Sequence, residues 1–95
     1  MRHRHVKQPA EIVTLAVDFG PLLAPGETLA SAGVTAETEA LTVALLPEGS
    51  AVSGSRVQAR VAGGVDGSQH KLTFLATTSA GHRYEEEVAL WIREL

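Results

Sequence analysis

The sequence predicts an all-β fold, a sandwich of about seven short strands. Three observations predict it. Apolar residues recur at every second position in several short runs, the period of a strand with one buried face. Clusters containing glycine or proline separate the runs at intervals of about 8–14 residues. No segment sustains a helical period. Residues 36–46 come nearest in composition, but β-branched Thr42 and Val43 and the alternation of Leu41, Val43 and Leu45 favour a strand there as well.

Residues 1–11 are polar and basic and are expected to form a flexible arm ahead of a single domain over 12–95. The first strand is expected over 12–19, with Val13, Leu15, Val17 and Phe19 on one face. Gly20-Pro21 breaks it, and Leu22-Leu23-Ala24 leads into a Pro25-Gly26 turn. Residues 28–35 make a strand of small side chains, and 41–46 a strand with Leu41, Val43 and Leu45 on one face. A turn follows at Pro47-Glu48-Gly49-Ser50, then a weak strand near Ala51-Val52 that Gly54 ends. Residues 56–62 alternate most cleanly, with Val57, Ala59 and Val61 inward and Arg56, Gln58 and Arg60 outward. After the glycine-rich 63–67 comes a hairpin. Residues 68–78 carry Leu72, Phe74 and Ala76 on one face, Ser79-Ala80-Gly81 is a three-residue loop, and 82–92 return with Tyr84, Val88, Leu90 and Ile92 inward.

Bulk properties narrow the function. At 95 residues the chain is one domain, able to bury a compact core but with little room for a deep cleft. The core must be aliphatic, because the aromatics are only Phe19, Phe74, Tyr84 and Trp91. A formal charge of −3 is the wrong sign for a phosphate-backbone footprint, so no nucleic acid is expected as partner. The absence of cysteine removes disulfides and thiolate metal sites. The apolar run Ile12 to Val17 behind the basic start is too short for a signal peptide or a membrane span, and no membrane is expected as partner. With its own Met1 and no linker, the chain reads as a complete small protein.

Chemistry-bearing patterns are sparse. His3 and His5 lie on the expected arm, and His70 and His82 on the hairpin. A zinc site needs three or four converging ligands; the i, i+2 pair His3 and His5 could capture a transition metal weakly, but a solvated basic tail is the plainer reading. Glu85-Glu86-Glu87 could do acid–base work or bind calcium, but no aspartate-rich loop accompanies it, and charges that protect a strand edge are the plainer reading. Strand parity aims Glu86 at the core face, close enough to the hairpin end to reach water or an arginine. The glycines at 63–67 have neither a following helix nor a Lys-Ser/Thr signature, so they read as tight turns rather than a phosphate cradle. None of the serines sits in a Gly-x-Ser-x-Gly elbow. The expectation is a protein that is not an enzyme, with no catalytic residues, no cofactor and no metal.

Trp91 is the best pointer to a contact surface. Parity groups it with Glu85, Glu87 and Ala89, opposite the apolar set of the same strand. Leu75 on the neighbouring strand shares the outward parity. Trp91, Leu75, Glu85 and Glu87 are therefore the candidate protein-interface residues, with Trp91 and Leu75 forming an apolar patch on a sheet face. The competing expectation is that residues 1–11 or a loop cover Trp91, or that the register is shifted by one.

Three stretches carry a resemblance. They are Lys7-Gln8-Pro9-Ala10-Glu11 followed by Val17-Asp18-Phe19; Gly26-Glu27-Thr28-Leu29-Ala30-Ser31-Ala32; and Gly63-Gly64-Val65-Asp66-Gly67 leading to Thr77-Thr78-Ser79-Ala80-Gly81-His82-Arg83. In order and spacing the chain resembles the small fibre–tail adaptor proteins of tailed bacteriophages and prophages, over nearly its whole length. The shared motifs are turn motifs that also recur in bacterial immunoglobulin-like domains. The sequence departs from the family's pattern at Leu15 and Gly33, where aromatic residues are usual, and in the linker 46–55.

The resemblance implies an immunoglobulin-like antiparallel β-sandwich and a non-enzymatic structural role in a phage or prophage tail. It implies other tail proteins as partners, the tail fibre among them, and a path from host cytoplasm during assembly to the virion tail. It also allows homo-oligomerisation in the assembled particle, where many copies would multiply a modest contact. The alternative is a stand-alone immunoglobulin-like module for carbohydrate or cell-surface ligands, which the low aromatic count disfavours.

Overall fold

The computed structural model of the chain describes residues 2–37, 41–45 and 52–94. They form β1 (Arg2–Lys7), β2 (Val13–Asp18), a 3₁₀ turn η1 (Gly20–Leu22), β3 (Leu29–Ala36), β4 (Leu41–Leu45), β5 (Val52–Ser53), β6 (Arg56–Gly63), β7 (Gln69–Thr78) and β8 (Arg83–Ile92). One sheet has the order β1-β8-β7-β3, and the other β2-β6-β4, with β5 paired to the end of β6. Seven strands thus make the two layers and β5 is a short appendage. The β3-β7-β8 and β2-β6-β4 sets match the C-F-G and B-E-D strands of an immunoglobulin-like sandwich.

The expected faces hold. Leu15, Val17 and Phe19, then Val57, Ala59 and Val61, line the inner face of one sheet and are buried. Leu72, Phe74 and Ala76, then Val88, Leu90 and Ile92, answer them from the other. Alternation puts each set on one side, and sheet-on-sheet packing then excludes water from both. Val34 and Val43 pack at the margin of this core.

Turn chemistry fixes the connections. Gly81 takes φ 86° in the hairpin loop, where Gly81 N–H donates to Thr78 O at 3.0 Å. Gly64 takes φ 98° in a place with no room for a side chain: a Cβ there would lie 2.7 Å from Ile92 Cγ1 and 3.2 Å from Leu41 Cδ2. The turn read at residues 47–50 and position 51 of the weak strand lie outside the described residues.

The N-terminal segment departs from expectation. Instead of a flexible arm, residues 2–7 form β1, running parallel to β8 in register Val6↔Trp91 and Lys7↔Ile92. Arg4 and Val6 face out, while half-buried His5 and buried Lys7 face in. This strand inverts the usual code, because its inward residues are the polar ones. That is why no apolar alternation marks it in the sequence. Its direction also makes the sheet mixed rather than purely antiparallel.

Candidate functional site

The outer face of the β1-β8-β7-β3 sheet carries the candidate residues. Trp91 is 37% exposed and stands beside Val6, which is 57% exposed. β1 therefore flanks the indole as a neighbouring strand, and Val6 does not cover it. Around this pair lies an open depression of about 280 Å³ lined by Arg4, His5, Val6, Trp91 and Arg93.

Leu75 is on the same face but not in the same patch. The hairpin pairs Gln69 with Trp91 and Leu75 with Glu85. Six positions along a strand separate the two side chains by about 20 Å. The expected Trp91–Leu75 patch is thus replaced by a Trp91–Val6 pair at one end of the face. At the other end Leu75 and Glu85 share a second open depression with Ser31, Gly33, Thr77 and Arg83. Parity alone gives the face; the loop's register gives the position along it.

Glu87 lies between these ends and pairs with Lys71, Oε2 to Nζ at 3.3 Å. Of the acidic run 85–87, Glu87 is paired by β1, whereas Glu85 and Glu86 lie on a stretch of β8 that no described strand flanks on that side. Glu86 points into the core side as parity predicts, at 6% exposure.

The polar contacts elsewhere are latches between segments. Lys7 is 1% exposed, and its Nζ donates to the carbonyls of Gln8 at 2.7 Å, Pro9 at 3.2 Å and Gly63 at 2.6 Å. Three carbonyls match the three donors of an ammonium. Burial pushes its pKa down, and the nearby Glu11 carboxylate pushes it back up. Glu11 N–H closes the Pro9-Ala10 turn onto Gln8 O at 3.1 Å, so the chain crosses from one sheet to the other in one pinned bend.

A second latch joins the bend at 24–28 to the β7–β8 loop. Thr78 Oγ1 donates to Glu27 Oε2 at 2.5 Å, Ala24 N–H to Glu27 Oε1 at 2.8 Å, and His82 Nδ1 lies 3.0 Å from Glu27 Oε2. The Thr78 hydroxyl first, then the Ala24 N–H and His82, hold the Glu27 carboxyl below its usual range, while burial opposes them. Hydroxyl, carboxylate and imidazole meet here, but both partners bond the carboxylate. The imidazole bonds the carboxylate and not the hydroxyl, so the three are not in the hydroxyl–imidazole–carboxylate order of a nucleophilic triad. A third latch is Asp18, whose Oδ1 accepts Ser55 Oγ at 2.6 Å and Gly20 N–H at 2.8 Å. These two bonds, with Arg56 nearby, hold Asp18 below its usual range against a smaller opposing effect of burial.

His5, His70 and His82 stay apart. His5 lies on β1, His82 is at the Glu27 latch, and His70 Nε2 meets Ser68 Oγ at 3.0 Å. Among the described residues no three His, Asp or Glu side chains are grouped to hold a metal ion. Lys7, Glu27 and Thr78 make the first two latches, yet none stands out in the sequence as a single residue. Their signal lies in the turn motifs that contain them.

The chain is a small all-β sandwich held by such latches, with an outward aromatic on a sheet face. The chain belongs to the podophage GP4 fiber-tail adaptor protein gp77 family, whose model matches residues 7–91. The match runs from the Lys7 latch to Trp91 and so spans both sheets. Comparison with curated proteins gives no match.

Proposed function

We propose that this chain is a non-enzymatic adaptor of a phage or prophage tail, joining tail components, the tail fibre among them, through protein–protein contacts. The observation that carries the proposal is the family match over residues 7–91. The outer face of the β1-β8-β7-β3 sheet supplies the contact, with Trp91 as anchor at one end and Leu75 and Glu85 at the other; Glu87 sits between them. Two separated patches on one face suit a bridging role, because each can meet a different component. The partners are tail proteins, without nucleic acid or membrane, and the chain passes from host cytoplasm to the virion tail on assembly.

The carbohydrate-module alternative is weaker on this geometry. Phe19 and Phe74 are buried and Tyr84 faces inward, which leaves Trp91 as the single aromatic able to stack on a sugar. Mass spectrometry on tail-enriched and whole-particle fractions tests the proposal. A fixed copy number per tail in both fractions is expected. Absence of the chain from tail fractions of intact particles contradicts it.

A further inference from the structure

We infer that the free edge of β1 is a strand-addition site for an extended acidic segment of a partner protein, with a large apolar side chain seated on Val6 and Trp91. The inference deepens the adaptor proposal and rests on it for the class of partner, a protein.

The backbone comes first. No described strand pairs with the outer side of β1. Arg93 N–H donates to Lys7 O at 3.0 Å, so Lys7 turns its backbone groups toward β8. Alternation then turns the N–H and C=O of Arg4 and Val6 to the open edge. These unmade ladder bonds are the main source of affinity when a peptide adds to a sheet.

Side chains then select the occupant. Arg4 and Val6 project onto the outer face, beside Trp91 and Arg93, around the depression of about 280 Å³. Its lining includes two arginines and no acidic residue, in a chain whose formal charge is −3. Neither Arg4 nor Arg93 pairs with a carboxylate among the described residues. Guanidinium forks bind carboxylates in bidentate fashion, and the Val6–Trp91 floor offers apolar area between them.

The same charges exclude a second copy as occupant. Two β1 edges side by side would bring the Arg4 guanidinium of each copy onto the same short stretch, and like charges across a strand pair are destabilising. Charge on an edge protects against indiscriminate pairing, but it discriminates only by sign. An acidic strand is the one such an edge admits.

Two synthetic peptides test this, each of about nine residues, long enough for an average strand. Both share an alternating threonine–valine pattern with a central leucine; one carries glutamates beside the leucine, the other lysines. They are titrated into the full-length, ¹⁵N-labelled protein. The expected result is shifts at the amides of Arg4 and Val6 and at the Trp91 indole, with the acidic peptide binding at least about tenfold tighter. The double variant Arg4→Glu/Arg93→Glu reverses the preference. Val6→Pro removes an edge-facing N–H without touching the β8 ladder, so binding is lost while the thermal midpoint holds. Val6→Ala, which keeps that N–H, loses less.

Equal binding of the two peptides, shifts centred on β3, self-association through β1, or no shift at β1 at millimolar peptide each overturn the inference. Such a failure removes the edge as the docking site. The adaptor role fails separately, if the chain is missing from tails.

Discussion

The ammonium of Lys7 lies 2.6 Å from the carbonyl oxygen of Gly63, tying the end of β1 in one sheet to the end of β6 in the other. Lys7→Met keeps the length of the side chain and removes every donor. The carbonyls of Gln8, Pro9 and Gly63 then lose their bonds in a half-buried place, at a cost of about 1–3 kcal/mol. The expected outcome is a thermal midpoint lower by at least about 4 °C. Amide exchange at His5 and Lys7 speeds up more than at β7. An unchanged midpoint contradicts the latch.

Glu27 and Asp18 make stability depend on acid. Both carboxyls are held below their usual range in the fold. Their contribution is fully present above the unfolded-state pKa values and is lost as pH falls through the lower folded values. Urea unfolding followed downward from neutral pH is expected to show stability falling through and below the ordinary carboxylate range. Glu27→Gln and Asp18→Asn flatten that fall. Parallel profiles for wild type and both variants contradict the assignment.

Gly64 and Gly26 separate two causes of glycine dependence. Both have positive φ, but a Cβ at Gly26 meets nothing within 4 Å, whereas at Gly64 it meets Ile92 and Leu41. Gly26→Ala is expected to cost about 1 kcal/mol from backbone strain alone. Gly64→Ala adds overpacking against the core, for about 2–4 kcal/mol in total. Equal losses in chemical denaturation would falsify the packing account of Gly64.

Trp91 and Leu75, the contact residues proposed at opposite ends of the face, are tested separately. Trp91→Ala is expected to retain a cooperative fold, at a cost of no more than about 2 kcal/mol, and to reduce incorporation into particles. Leu75→Ala, half-buried at the other end of the face, reduces it less. Loss of the fold on Trp91→Ala would make the residue part of the core and end its role as an anchor.

Much of this fold is legible in the sequence because alternation reports burial directly. Val57, Ala59 and Val61 were bound to face in once Arg56 and Arg60 faced out. The hairpin from 69 to 92 follows from two alternating runs and a glycine loop. What escapes is what alternation does not encode. β1 is unreadable because its inward residues are His5 and Lys7, and the buried lysine is stable only through carbonyls that fold around it. The separation of Leu75 from Trp91 follows from the register that the 79–81 loop sets, a quantity that parity discards. The Glu27–Thr78–His82 contact joins residues 51 and 55 positions apart. No local pattern links them, although both sides lie within the residues that the adaptor family model matches.

The central claim is that the chain joins fibre to tail through the outer face that carries Trp91. Electron cryomicroscopy of particles produced with the chain deleted, and with it restored as wild type or Trp91→Ala, tests this most directly. The account predicts tails lacking fibres in the deletion, full fibres with wild type, and reduced fibre occupancy with Trp91→Ala. Fully fibred tails in the absence of the chain would contradict it.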